Sequence, residues 1–299
     1  MARPAIGFIG LGLMGSAMVE RLQSLQYPMT VIANRSRAAI DAAVARGATE
    51  VQTAREIAAA SDIVMLCMDT SASVESRMLG PDGVIAGLKP GAVVIDFGTS
   101  LPGSTRRLGA LVAEAGGHYM DAPLGRTPSH ALEGKLNIMG AGDRAVFDRV
   151  KPVLDHLGEN VFHLGDLGAG HTVKLINNFF AMTTANAMAE AFAMADVAGV
   201  PRENLYAVMS AGPLRSGMMD FVKAYAIDGK PDVLAFAVRN ARKDVGYYAA
   251  MAEEAGVLSL ISNGTKQALT LAVSQGHGDR MVPELVDFYA ALFAGKERA

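Results

Sequence analysis

Residues 7–18 read GFIGLGLMGSAM and carry Gly10-x-Gly12-x-x-Gly15. Alone, the pattern is weak. Its setting is specific, because it follows an apolar run at 5–9 that reads as a strand and opens a helical pattern over 15–25. In such a unit the first glycine permits a tight turn and the second lets the backbone approach a pyrophosphate. The third allows close helix–strand packing, and the helix N-terminus aims its N–H groups at the anion. Gly10, Gly12, Leu13, Met14 and Gly15 are therefore the candidate phosphate cradle of a dinucleotide.

Outward from this stretch, short apolar runs at 29–33, 63–68 and 92–96 read as strands, with helical spacing at 37–46, 54–60 and 104–115 between them. That alternation implies a parallel sheet covered on both faces. Strand patterns at 118–122, 135–139 and 160–163 and a helix at 145–156 extend it. The stretch between, APLGRTPSH at 122–130, reads as a tight loop. From 173 to 198 the chain is rich in alanine and methionine and has no glycine or proline, which predicts one long, largely buried helix. Gly199-Val200-Pro201 stops it. Met182, Met188 and Met194 read as core filling. Helices at 203–210, 235–254 and 265–275 follow. The expected class is α/β: a mostly parallel sheet domain over 1–165, then a long connecting helix and an all-α domain, together 166–299.

Of the 299 residues, 51% are apolar and 19% charged, with a formal net charge of −3. That balance offers no general attraction to nucleic acid or to an anionic membrane. No run of 18 uncharged apolar residues occurs, so no membrane span is expected. The apolar stretch after Arg3 superficially resembles a signal peptide, but its glycines suit a strand and turn better. The single cysteine, Cys67, lies in the apolar run 63–68 and reads as a core thiol. It excludes an internal disulfide framework and is compatible with a reducing compartment, hence an expected cytoplasmic location. No metal site is expected.

The end of the second strand selects the dinucleotide. An acidic residue there would accept from a ribose 2′-hydroxyl and repel a 2′-phosphate. This chain has Asn34-Arg35-Ser36, followed by Arg37. Arg35 can stack on adenine or pair with a phosphate, Ser36 can donate to one, and Arg37 adds charge. The expected cofactor is NADP(H), with NAD the less favoured alternative.

Lys174 and Asn178, four residues apart in GDLGAGHTVKLINNFF, share a helix face. Gly168 and Gly170 keep the approach to them uncrowded. A lysine partly desolvated there has a lowered pKa and becomes a usable proton donor or acceptor. The spacing is equally consistent with a snorkelling lysine at a domain seam.

The segments FIGLGLMG, VVIDFGTS, DAPLGRTPSHALEGKLNIMGAG, GHTVKLINN and ARKDVGYY occur in one order across nearly the whole chain. In them the chain resembles the β-hydroxyacid dehydrogenases, the family of 3-hydroxyisobutyrate dehydrogenase and tartronate semialdehyde reductase. The resemblance implies a Rossmann-type domain, a helical C-terminal domain contributing to the cleft, and homodimers or homotetramers. It places Lys174 on the catalytic lysine and Asn178 on the substrate-orienting amide. Thr99 falls beside the nicotinamide ribose, Met68 and Asp69 on the loop lining the dinucleotide, and Lys243 on a cofactor-side lysine.

Two departures stand out. Gly98-Thr99 replaces the usual Ser-Thr. Gly125-Arg126-Thr127 replaces the usual Ser-Gly-Gly of the loop that holds the substrate carboxylate, and is similar to sulfolactaldehyde reductases. Arg126 would offer fork-shaped donors to a carboxylate or sulfonate, with Thr127 and the Gly125 N–H assisting. The alternative for Arg126 is pairing with Asp121 or Glu133. His130, a loop histidine, reads as surface. The expected reaction is hydride transfer to a short acid semialdehyde, with Lys174 as general acid/base. Two alternatives are an imine reductase of the same fold, which usually carries aspartate or tyrosine at the lysine position, and a non-catalytic dinucleotide-binding module.

Overall fold

Ile6–Ile9 (β1) is buried along its whole length, as a strand covered on both faces must be. The remainder of the fold is arranged around it. The computed structural model describes residues 3–33 and 37–295. They divide into two compact units, Met1–Lys174 and Leu175–Ala299.

In the first unit β1 is followed by α1 (Leu13–Ser24), β2 (Met29–Ile32), α2 (Arg37–Ala45), β3 (Thr49–Val51), α3 (Ala54–Ala60), β4 (Ile63–Leu66), α4 (Ser71–Met78), α5 (Val84–Gly87), β5 (Val93–Asp96), α6 (Pro102–Glu114) and β6 (His118–Asp121). Then come β7 (Leu124–Gly125), α7 (Pro128–Glu133), β8 (Leu136–Gly140), α8 (Arg144–Leu154) and β9 (Gly158–His163). Strands β1 to β6 form one sheet in the order β3-β2-β1-β4-β5-β6. Every pairing in it is parallel. The order reverses between β1 and β4, and ligands of such sheets bind outside the strand ends at that reversal. Two apolar clusters fill the faces, one around Phe8, Met18 and Ile95, the other around Ile57, Leu66 and Met78. A second, three-stranded sheet runs β7-β8-β9, antiparallel at β7–β8 and parallel at β8–β9.

The helix α9 (Ala169–Val197) crosses from the first unit into the second. It starts four residues before the expected 173. The reason is local: a Cβ on Gly170 would lie 2.2 Å from the Met139 carbonyl oxygen, so only glycine fits there, and the helix accommodates it. The second unit continues as α10 (Arg202–Ser210), α11 (Gly217–Ala226), α12 (Val238–Glu254), α13 (Ser262–Ala272) and α14 (Leu285–Phe293) around its own apolar core.

Two expectations need correction, and two strands went unread. The methionine series is not uniform: Met182 and Met188 are buried, but Met194 is 55% exposed. A step of six residues turns a helix by about 600°, so the three side chains point about 120° apart and cannot share a face. The stretch at 122–130 is not all loop, because α7 begins within it. Pro128 starts that helix and Gly134, at φ 71°, ends it, the usual placing of those two residues. Strands β3 and β7, of three and two residues, are too short for any periodicity to show.

Candidate active site

The glycine turn after β1 divides its work among three residues. Gly10 has φ +101°, and a Cβ there would lie 2.3 Å from the Cys67 carbonyl oxygen at the end of β4. A Cβ on Gly15 would lie 2.0 Å from the Gly10 carbonyl oxygen. These two glycines are required by the protein itself. Gly12 is exposed and a Cβ there meets nothing within 4 Å. Gly12 precedes α1 without any side-chain cap, and the first turn of α1 holds no acidic residue. An exposed, uncapped helix N-terminus with clear space before it fits a pyrophosphate. Leu13 is 86% exposed at the helix start and Met14 is half-buried.

Neighbouring strand ends converge on this turn. Met68 is half-buried after β4, and Asp69 accepts a hydrogen bond from Ser73 Oγ at 2.8 Å. Cys67 is a half-buried thiol whose pKa burial, with the Asp96 charge adding, pushes up to about 12. A shift in that direction favours the protonated thiol over the nucleophilic thiolate. After β5, the Gly98 N–H and the Ser100 hydroxyl both donate to Asp96, at 2.8 Å each, bracketing the half-buried Thr99. A Cβ on Gly98 would lie 2.9 Å from both Asp96 Oδ1 and the Met68 carbonyl oxygen, so this turn is built for glycine.

Asn34, Arg35 and Ser36 lie outside the described residues. Arg37 does not add free charge beside them. Its guanidinium grips Glu50 at 2.6 and 2.8 Å and Asp41 at 2.9 Å. Its pKa is raised by those partners, the Glu50 hydrogen bond foremost.

Lys174 is half-buried near the start of α9, and its ammonium donates to the Leu124 carbonyl at 2.7 Å. That contact sets the amine beside the strand that leads into the Gly125-Arg126-Thr127 loop. Gly125 lies opposite Asn137 in the β7–β8 pair. Arg126 takes φ +76°, a left-handed conformation that favours glycine. It pairs with neither Asp121 nor Glu133. Its Nη1 donates to Glu159 Oε2 at 2.5 Å and to the Lys135 carbonyl at 2.7 Å. Among the described residues, its Nε and Nη2 have no hydrogen-bond partner, so the two-donor edge is left open. Thr127 Oγ1 lies 2.8 Å from Ser129 Oγ and 2.7 Å from His130 Nδ1. His130 is thus half-buried and engaged rather than a bare surface histidine.

One turn beyond Lys174 on α9, Asn178 is 7% exposed. Its amide donates to Asp244 Oδ2 at 2.6 Å, and its carbonyl accepts from Asn177 at 3.2 Å. Asp244 is itself buried, with the Lys243 ammonium 3.0 Å from its Oδ1. Phe179 stacks on Tyr248 at 4.2 Å between ring centres, which fixes α9 against α12 at this level. Asp244 fixes the orientation of Asn178, and the sequence reading missed it. Its only signal was the acidic residue beside Lys243 in ARKDVGYY.

Residues 5–165 match the family model described as the NAD binding domain of 6-phosphogluconate dehydrogenase. Residues 168–289 match the one described as NAD-binding of NADP-dependent 3-hydroxyisobutyrate dehydrogenase. The 2-(hydroxymethyl)glutarate dehydrogenase of Eubacterium barkeri is 35% identical over 252 residues, which is 84% of this chain and 82% of that protein. The 2-hydroxy-3-oxopropionate reductase of Escherichia coli (strain K12) is 36% identical over 194 residues, 65% of this chain and 66% of that protein. The crystal structure of a 3-hydroxyisobutyrate dehydrogenase from Salmonella typhimurium superposes with a TM-score of 0.81 at 28% identity, covering 95% of this chain and 99% of that one. The sheet order and these matches make the first unit an NAD(P)-binding domain of the Rossmann type. Among the described residues, no helix is long and apolar enough to cross a membrane.

Proposed function

The chain belongs to the β-hydroxyacid dehydrogenase family, and from that premise we propose that it interconverts a short acidic aldehyde and the corresponding hydroxyacid with NADP(H). The observation that carries the proposal is the Lys174 ammonium, half-buried and held 2.7 Å from the Leu124 carbonyl, immediately before the loop assigned to the substrate acid. When bound, the dinucleotide supplies or takes up a hydride.

Every other step belongs to the chain. Gly10, Gly12 and Gly15, with the start of α1, hold the pyrophosphate, and Leu13 and Met14 flank it. Met68, Asp69, Thr99 and Lys243 complete the cofactor contacts, and Asn34, Arg35 and Ser36 favour a 2′-phosphate. Arg126 holds the substrate oxyanion by its open Nε–Nη2 edge, with Thr127 and the Gly125 N–H assisting. Asn178, oriented by Asp244, fixes the carbonyl. Lys174 delivers a proton to the oxygen that becomes the hydroxyl, and in the reverse direction its neutral amine removes that proton. General acid catalysis of this kind contributes ~10²–10⁴-fold.

The substrate class follows from Arg126: a carboxylate or sulfonate monoanion on a small aldehyde. The relatives named for 2-(hydroxymethyl)glutarate and 2-hydroxy-3-oxopropionate support a small acid. The helical unit is proposed to mediate a homodimer or homotetramer. Its exposed Phe180, Leu214, Leu258 and Ile261 support that role.

The test is NADPH oxidation against succinic semialdehyde, tartronate semialdehyde, sulfolactaldehyde and a cyclic imine. Turnover of an acidic aldehyde is expected, and turnover of the imine alone would overturn the assignment. Lys174→Ala is expected to lower kcat by ~10²–10⁴-fold while NADPH binding, followed by fluorescence titration, stays nearly unchanged. Undiminished kcat in that variant would remove the lysine from the mechanism. Equal dissociation constants for NADPH and NADH would remove the cofactor preference.

A further inference from the structure

Three polar side chains of the first unit have no part in the reaction just described, yet all are fully buried: Asp96, Asp121 and His171. Burying such groups is costly unless they are paired, so their arrangement calls for a reason. Asp96 and Asp121 end the adjacent strands β5 and β6 and are register partners. Asp96 holds the turn around Thr99 through Gly98 and Ser100. Asp121 accepts from the Gly168 N–H and the His171 N–H, both at 2.7 Å. These are backbone donors of the entry into α9, so Asp121 caps the helix that carries Lys174 from across about fifty residues of chain.

The His171 ring stands between the two carboxylates. Its Nε2 lies 3.7 Å from Asp96 Oδ2 and its Nδ1 3.8 Å from Asp121 Oδ2. Nδ1 also lies 2.8 Å from Thr105 Oγ1. Nε2 is buried and has no hydrogen-bond partner among the described residues. The carboxylate oxygen within 4 Å of it is Asp96 Oδ2. Lys174 follows three residues later on the same side of α9.

We propose that His171 is a positioning residue that ties the Thr99 turn to the start of α9, and so sets the separation between the hydride side of the site and the Lys174 amine. The inference rests on the proposed roles of Thr99 and Lys174. A misplacement of about 1 Å between reacting groups can cost ~10²-fold in rate, which is reason enough for a buried tie at this point.

The experiment compares His171→Asn with His171→Gln in the full chain. The asparagine amide reproduces the Nδ1 contact to Thr105 and leaves Asp96 unfaced. The glutamine amide reproduces the group facing Asp96. For His171→Asn, kcat with the semialdehyde turned over fastest is expected to fall by about 30- to 100-fold. The primary isotope effect with deuterated NADPH should rise, and the NADPH dissociation constant should stay within a factor of a few. His171→Gln should recover most of the rate. In the protein without cofactor, hydrogen–deuterium exchange should speed up in His171→Asn at both 97–101 and 166–172.

Three results would overturn the proposal: an unchanged kcat and isotope effect in a folded His171→Asn, equal losses in both variants with no change in the isotope effect, or faster exchange confined to α9. If neither variant folds, Asp96→Asn is expected to show the lower kcat, the higher isotope effect and the faster exchange at 97–101 and 166–172, and wild-type values of kcat and isotope effect, or faster exchange confined to α9, would overturn the proposal. Lys174→Ala separates this idea from its premise. If that variant keeps its turnover, the mechanism fails; if it is inactive while His171→Asn behaves as wild type, only the tie fails.

Discussion

The turn after β1 and the turn after β7 both pass through a left-handed backbone conformation, and they fill it with opposite residues. Gly10 sits at φ +101° where a side chain has no room. Arg126 sits at φ +76° and carries one of the longest side chains. The first turn follows the steric rule and the second breaks it. A non-glycine residue in this region costs roughly 1–2 kcal/mol. Such strain persists only where the surroundings enforce it, and it gathers at functional sites. Here the β7–β8 pairing and the two Nη1 contacts hold the residue in place. The contrast teaches that Gly10 answers to the protein's own packing, whereas the strain kept at Arg126 fits a side chain proposed to meet the substrate.

The contrast can be broken most severely at Gly10. Gly10→Ala adds left-handed strain to a Cβ 2.3 Å from the Cys67 carbonyl oxygen. A stability loss on the order of 3 kcal/mol or more is expected by thermal denaturation, with dinucleotide binding lost alongside. A variant as stable as the parent would refute the account of that turn.

Arg126→Gly comes next and should separate fold from function. Removing the strained side chain is expected to leave the melting temperature unchanged or raised, since about 1–2 kcal/mol of strain is relieved. KM for the acidic substrate should rise about tenfold or more, as fits the loss of a charge-assisted contact of roughly 1.5–3 kcal/mol. An unchanged kcat/KM would show that Arg126 does not meet the substrate.

Gly12→Ala sharpens the comparison from within the first turn. Nothing lies within 4 Å of its added Cβ, so stability should stay within about 0.5 kcal/mol of the parent. NADPH affinity should still weaken by about tenfold, the equivalent of roughly 1.4 kcal/mol, because the methyl group stands where the pyrophosphate would lie. Undiminished affinity, measured by titration, would show that the dinucleotide does not pass over this residue.

The smallest effect is expected for Glu159→Gln. The pair is solvent-exposed, with the Glu159 side chain 52% accessible. Such pairs contribute about 0.2–1 kcal/mol, so the melting temperature should barely move. A change several times larger would mean that the Glu159 contact does more than the β7–β8 pairing to enforce the turn.

Most of the sheet domain was legible in the sequence, because buried parallel strands are continuous apolar runs and the glycine spacing marks the first turn. The long helix was legible from its alanine and methionine content. What escaped has physical causes. β7 offers two residues and no period. Arg126 finds its carboxylate on β9, 33 residues away, where nothing local hints at it. The Asp96–His171–Asp121 contact joins three segments that meet only because β5 and β6 are neighbours, and each residue taken singly reads as an ordinary polar position. The bridging of Asn178 by Asp244 spans 66 residues and was hidden for the same reason. Residue type and spacing reveal the backbone devices; partners brought together by topology become visible only in three dimensions.

The left-handed arginine also bears on how this protein would respond to redesign. A campaign that ranks substitutions by thermal robustness would favour glycine at position 126, because it relaxes the backbone and gives up only two exposed hydrogen bonds. Each such improvement would discard the group proposed to recognise the acid. A heat-tolerant catalyst selected without a substrate in the assay would therefore drift toward broader and weaker discrimination, and selection pressure for acid recognition has to be applied at the same time.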